Sequence, residues 1–280
     1  MLRKSDKSSK PLRDAPPLVL AIAGSDSGGG AGIQADLRTF ATFGVHGLCV
    51  LTAITAQNTR GVMAVNALST AIIQAQIDAL LADFQFDVVK VGMLATPAIV
   101  RLVASTLQRH PRLKLVLDPV LVATTGASLG GAAVATAIRR HLLPRADLVT
   151  PNWPEAHSLL ERTPTDGADQ LSLAMELQSA GAKAVLLKGG HLPGERMADL
   201  LLTSAGSRWF THERLPVEGH GTGCTLASAI AAGLASGLTL SAATAQAVDY
   251  VQRALIAGYR PGRGSLRVLD HSVISLQGRD

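Results

Sequence analysis

Beyond residue 17 the chain alternates short apolar runs with amphipathic or alanine-rich stretches of helical length. The runs are Leu18 to Ala23, Leu48 to Ala56, Val88 to Met93, Leu115 to Leu117, Leu148 to Val149 and Val185 to Leu187. Runs this short, bounded by polar and glycine residues, predict strands buried on both faces, and the stretches between them predict crossover helices. In the first crossover, Ile33, Leu37 and Phe40 recur at helical spacing on one face. The expectation is an α/β fold with a mostly parallel central sheet flanked by helices. Ala198 to Thr203 and Arg208 to Thr211 flank Ser204-Ala205-Gly206-Ser207 and predict a hairpin, an antiparallel addition at the sheet edge.

Several runs end in polar or glycine-containing segments: Gln57-Asn58, Gly92-Met93, Asp118-Pro119, Pro151-Asn152 and Lys188-Gly189-Gly190. Open α/β sheets bind ligands outside the carboxyl ends of their strands, so these residues are the first site candidates. Two glycine clusters stand out, at residues 24–32 and 221–223. The glycines at 24, 28, 29, 30 and 32 lack the Gly-x-Gly-x-x-Gly spacing of dinucleotide binding, and neither cluster is followed by the Lys-Ser/Thr pair of a Walker loop. Gly221-Thr222-Gly223-Cys224-Thr225 leads into an apolar helical stretch. Glycines there let backbone N–H groups converge on an anion at a helix N-terminus. An ordinary helix start capped by Thr222 is the alternative reading of that segment alone.

A chain of 280 residues, 47% of them hydrophobic, is read as one domain over residues 18–280. Residues 1–17 read as a disordered basic tail: Arg3, Lys4, Lys7, Lys10 and Arg13 against Asp6 and Asp14 contribute +3 of the formal +5, leaving +2 elsewhere. That remainder is too small for a nucleic-acid footprint, and 3% aromatics leave few stacking platforms. The tail lacks a secretory pattern, which makes the cytoplasm the default. Gly221 to Val248 carries no charge, but Gly233 and Gly237 interrupt it and Ser, Thr and Ala dominate. Two buried helices with a turn near Ser236 to Ser241 are expected rather than a membrane span. Cys49 and Cys224 sit in unlike settings and predict neither a disulfide nor a metal site.

The stretch from Ala23 to Leu37, Ala-Gly-Ser-Asp-Ser-Gly-Gly-Gly-Ala-Gly-Ile-Gln-Ala-Asp-Leu, resembles the opening signature of hydroxymethylpyrimidine/phosphomethylpyrimidine kinases. Similar blocks follow in order at Thr55–Thr59, Lys90–Leu94, Val116–Val120, Thr150–Ala156, Lys188–His191 and His220–Thr225, together covering nearly the whole chain beyond the tail.

The resemblance implies a three-layer ribokinase-like fold. It also implies phosphorylation of 4-amino-5-hydroxymethyl-2-methylpyrimidine, and then of its monophosphate, with ATP and magnesium for thiamine synthesis. By it Gln57, whose amide both donates and accepts, binds the pyrimidine with Asp36, Gly24, Met93 and Val120 as neighbours. Gly221, Thr222, Gly223 and Cys224 form the catalytic anion site, Lys188, Asn152 and Glu155 support nucleotide and phosphate, and Asp118 serves magnesium through water. Cys224 stands where many ribokinase-like enzymes place an aspartate base. A thiol at a helix N-terminus can have a lowered pKa, so Cys224 is a candidate base or a shaper of the anion hole. Read without the resemblance, Gln57 is a loop hydrogen-bonder, Asp36 a solvent-facing helix carboxylate, Met93 and Val120 core residues, Lys188 a surface lysine, and Asp118, Asn152 and Glu155 turn or helix-start residues. Thr124-Thr125-Gly126 departs from the Lys-Ser-Gly of many relatives, and Glu218-Gly219 departs before His220. The rivals are a pyridoxal or pyridoxine kinase and a non-catalytic pyrimidine sensor. A homodimer is expected from the family.

Overall fold

The computed structural model describes residues 15–273 apart from 124, 125, 128, 164–168 and 191–195. Most of the expected tail, and Thr124, Thr125 and His191 of the motifs above, therefore lie outside the described residues. Residues 15–17 are exposed and lead directly into the first strand.

The strands are β1 (Leu18–Asp26), β2 (His46–Asn58), β3 (Gly61–Ala67), β4 (Val88–Val91), β5 (Lys114–Leu117), β6 (Leu148–Val149), β7 (Val185–Leu187), β8 (Arg196–Thr203), β9 (Gly206–Glu213), β10 (Gly219–His220) and β11 (Arg267–Val268). The helices are α1 (Gly32–Thr42), α2 (Thr70–Asp83), α3 (Pro97–Arg109), α4 (Gly131–His141), α5 (Trp153–Leu159), α6 (Gln170–Ser179), α7 (Thr222–Ala235) and α8 (Leu240–Ile256). The main sheet runs β3-β2-β1-β4-β5-β6-β7-β8-β9, while β10 and β11 pair separately.

From β2 to β7 the neighbours are parallel; β3, β8 and β9 are antiparallel. The hairpin edge expected from sequence is present as β8 and β9, with a tighter turn in which Thr203 already pairs with Gly206. A second antiparallel edge, β3, was not anticipated. Its sequence, Gly-Val-Met-Ala-Val-Asn-Ala, lies largely in solvent and lacks the polar alternation that marks an exposed strand.

The period of two along β1 builds the three layers. Leu20 and Ile22 join one core with residues of α2 to α6, while Val19 and Ala21 join another with Phe40 of α1, α7 and Tyr250 of α8. Helix α7 is rich in Ala, Ser and Gly and is buried along most of its length, which lets it lie close to both sheet and α8. The uncharged stretch thus forms two packed helices, as expected, with the turn at Ser236 to Thr239. Because the six central strands run parallel, their carboxyl ends open along one edge.

Candidate active site

That edge carries a cleft of about 680 Å³. It gathers Gly24 and Asp26 from the end of β1, Gln57 from β2, Met93 after β4, and Asp118 and Val120 after β5. Asn152 and Glu155 follow β6, Lys188 follows β7, and Gly221 to Cys224 open α7. Of the residues to which the family resemblance gives a role, all line this cleft except Asp36.

The start of α7 differs from the capped start considered above. Gly221 itself is the N-cap, at φ 85°, with no side-chain bond to the free N–H groups, so Thr222 does not cap them. The left-handed φ favours glycine, and a Cβ at Gly221 would run into the Gly30 carbonyl of the first glycine cluster. Both glycine clusters therefore meet at the cleft and leave the first turn of α7 open to an anion.

Below this turn sits a charged group. Lys188 Nζ lies 3.1 Å from Asp118 Oδ1 and 3.8 Å from Glu155 Oε2. Burial alone would lower the Lys188 pKa, but Asp118 and Glu155 hold it up and keep the ammonium charged. Burial pushes Glu155 up to about 7, against the pull of Lys188 and of the Asn152 and Leu121 N–H groups, while Asp118 pushes it further up. Thr150 Oγ1 donates to Asp118 Oδ1 at 3.2 Å, leaving the buried Oδ2 without a partner among the described residues. Asn152 and Glu155 do begin a helix: they form a reciprocal capping box on α5, which starts at Trp153. They also face the cleft, so the two readings of these residues hold together.

At the other end the lining turns apolar. Ala53, Met93 and Leu129 pack with Ala95, Val120 and Ala123 in a small cluster separate from the main cores. Gly24 faces Met93 so closely that a Cβ there would stand 2.9 Å from its Sδ. Gln57 is buried beside this surface, its amide 3.2 Å from Thr55 Oγ1 and 3.1 Å from His220 Nε2. The cleft thus combines an apolar surface with a buried amide that can both donate and accept.

The phosphomethylpyrimidine kinase family model matches residues 26–269. The chain belongs to this family. It is 45% identical over 258 residues to the hydroxymethylpyrimidine/phosphomethylpyrimidine kinase of Rhizobium meliloti (strain 1021), covering 88% of this chain and 95% of that protein. The crystal structure of phosphomethylpyrimidine kinase from Clostridium difficile 630 matches with a TM-score of 0.75 at 38% identity, over 85% of this chain and 99% of that one. An ADP complex of Bacillus subtilis pyridoxal kinase matches with a TM-score of 0.84 at 31% identity, over 92% and 98%. The ribokinase-like architecture expected from sequence is the one these structures share.

The structure bears on two expectations, the family's pocket placement of Asp36 and the helix-terminus reading of Cys224. Asp36 is fully buried on α1 and reaches neither solvent nor the cleft: its Oδ1 lies 2.8 Å from Lys90 Nζ of β4 and accepts from Ser228 Oγ of α7 at 2.7 Å. Burial would lower the Lys90 pKa, yet Asp36, with Cys224 and Asp118 adding to it, holds it up and the ammonium stays charged. Asp36 thus ties helix to sheet beneath the site. Cys224 lacks the lowered pKa expected at a helix N-terminus. Burial pushes its thiol up to about 12, Asp118 and Asp36 add to the rise, and Lys90 and the Gly32 N–H only partly oppose it.

Sequence reasoning also passed over Asp26 and His220 as site residues. Asp26 accepts from the N–H groups of Gly28, Gly30 and Ala31 and lies 2.9 Å from His220 Nε2. Burial raises its pKa, but His220 and the loop N–H groups together hold it below the ordinary aspartate value. An aspartate inside a glycine loop was the available signal, since such residues organise backbone N–H groups.

Among the described residues no three His, Cys, Asp or Glu side chains stand together as a metal cage. Asp118 and Glu155 still suit magnesium, which keeps several waters and takes only one or two carboxylates, and the unpartnered Asp118 Oδ2 is the oxygen available to it.

Proposed function

We propose that this chain transfers the γ-phosphoryl group of ATP to the hydroxymethyl group of 4-amino-5-hydroxymethyl-2-methylpyrimidine, and then phosphorylates the monophosphate to the diphosphate. One observation carries the proposal: the apolar surface of Met93 and Val120, the Gln57 amide and the open first turn of α7 line the same cleft. In this reading Met93, Val120 and Gly24 hold the ring and Gln57 pairs with its polar edge. The N–H groups from Gly221 to Cys224 stabilise charge on the transferring group. Lys188 supplies a fixed positive charge beside them, and Asn152 keeps Glu155 oriented through the capping box. Magnesium, when bound with ATP, neutralises phosphate charge, and Asp118 and Glu155 would hold it or its waters.

Cys224 is read as a neutral thiol that shapes the anion hole. Phosphoryl transfer through a loose transition state depends chiefly on positioning and charge stabilisation, so a strong base is not required there.

The cytoplasm is kept as the expected location in this reading. The largely exposed strand β3, with Met63 and Val65 in solvent beside Ile54 of β2, supports a homodimer formed through that edge. Among the described residues no helix is long and apolar enough to cross a membrane.

The pyridoxal kinase match supports a second reading, since that protein shares the fold at 31% identity. The 45% identity to a pyrimidine kinase favours the first. Turnover of ATP with hydroxymethylpyrimidine, its monophosphate and pyridoxine separates the two readings. A sensor that binds the pyrimidine without forming ADP would defeat both.

A further inference from the structure

The hydrogen bonds around Gln57 favour one setting of its terminal amide. The Asp26 carboxylate accepts from three backbone N–H groups, those of Gly28, Gly30 and Ala31, at 2.8, 3.0 and 2.9 Å. An ionised carboxylate only accepts, so His220 Nε2, 2.9 Å away, must carry the proton and donate. The same Nε2 lies 3.1 Å from the Gln57 amide nitrogen, which sets one donor against another. On the other side of the amide, Thr55 Oγ1 spends its single hydrogen on the Ser25 carbonyl at 2.9 Å. Toward Gln57 Oε1, 3.2 Å away, it then offers only lone pairs, and acceptor faces acceptor.

Half a turn of the terminal amide cures both mismatches at once. The carbonyl oxygen then shares the single His220 Nε2–H with Asp26 Oδ2, and the amide nitrogen donates to Thr55 Oγ1. Amide oxygen and nitrogen are alike in size, so hydrogen bonding alone decides between the two settings.

We propose that His220, anchored by Asp26, is a positioning residue that fixes the Gln57 amide with its oxygen toward His220 and its nitrogen toward Thr55, and thereby sets which heterocycles the cleft accepts. One amide N–H and one oxygen lone pair remain for the ligand, in a fixed order. That order matches a ring nitrogen acceptor next to an exocyclic amine donor. It opposes a 4-oxo ring, where N3–H and C4=O reverse the pattern. All four side chains are buried, which makes a mismatched pair costly and the discrimination large. The proposal rests on the pyrimidine reading of the cleft given above.

The test is the ratio of kcat/KM for 4-amino-5-hydroxymethyl-2-methylpyrimidine to that for its 4-oxo analogue. The wild-type full chain is expected to prefer the amine by about 10⁴-fold, the scale for sites built to hydrogen-bond one partner. His220→Leu frees the amide to turn, and the ratio is expected to fall at least about tenfold, since one orienting hydrogen bond is lost. His220→Gln, which restores an N–H donor, should recover most of it. A folded His220→Leu protein with an unchanged ratio overturns the proposal.

If that variant does not fold, Thr55→Val removes the other orienting group and should lower the ratio likewise; an unchanged ratio there is equally fatal. Independently of any variant, ¹⁵N-histidine spectra of the full chain should show His220, assigned through its contacts with Gln57, protonated at Nε2. A ring protonated only at Nδ1 overturns the proposal. A wild-type protein that turns over neither pyrimidine contradicts the reading of the cleft itself, and that failure is visible before any variant is compared.

Discussion

Lys188 and Asp118 face each other at 3.1 Å directly beneath Gly223: a Cβ added there would stand 3.2 Å from Lys188 Nζ and 3.8 Å from Asp118 Oδ2. The pair comes from the ends of β5 and β7, while Gly223 belongs to α7, so the sheet edge supplies the charges and the helix supplies the N–H groups. The proposed function puts the transferring group in this shared space.

Lys188→Met tests that placement. Removing a preorganised charge from a phosphoryl-transfer site is expected to lower kcat/KM by about 10²–10³-fold. Because Asp118 and Glu155 lose their countercharge, stability should fall as well, by about 3–5 kcal/mol, the scale for breaking a buried pair. Steady-state kinetics and urea unfolding measure the two effects. Near-normal kcat/KM in the variant would show that Lys188 does not reach the reacting group.

Asp36 and Lys90 call for the opposite pattern. Asp36→Asn leaves the Lys90 ammonium buried without its partner, at a cost of about 3–5 kcal/mol. With the fold held by substrate or low temperature, KM for the pyrimidine should stay within about threefold of wild type, because Asp36 lines no part of the cleft. Asp36→Leu combined with Lys90→Met should recover much of the lost stability. A normal melting temperature with a strongly raised KM would instead put Asp36 in contact with substrate.

Cys224 yields a pH prediction. A group of pKa about 12 is almost wholly protonated at neutral pH, so its reactive thiolate grows tenfold per pH unit throughout the range below that value. Alkylation of Cys224 by iodoacetamide, followed by mass spectrometry of its peptide, should therefore rise with unit slope from pH 6 to pH 10. A plateau near pH 7 would mean the thiol is activated and would restore its reading as a base.

Most of the fold was legible because the central strands are buried on both faces and read as plain apolar runs. Leu148 to Val149 and Val185 to Leu187 were predicted to the residue. Strand β3 escaped because its small and apolar residues mostly face solvent, so pairing with β2 rather than burial makes it a strand. At the site, strand-end position marked Gln57, Asp118, Asn152 and Lys188. Asp36 could not be placed this way. Its partner Lys90 sits inside an apolar run more than fifty residues later, and only the packing of α1 on the sheet brings the two charges together. For Cys224 the helix terminus was visible in sequence, but the burial and the neighbouring Asp118 and Asp36 that outweigh it were not.

The most direct test of the account is ADP formation by the purified full chain with ATP and magnesium, using hydroxymethylpyrimidine, its monophosphate or pyridoxine as acceptor. Both pyrimidines should be turned over, with kcat/KM for hydroxymethylpyrimidine at least about tenfold above that for pyridoxine, which lacks the exocyclic amine and so loses one hydrogen bond to Gln57 without opposing it. Turnover of pyridoxine with no activity on either pyrimidine would contradict it.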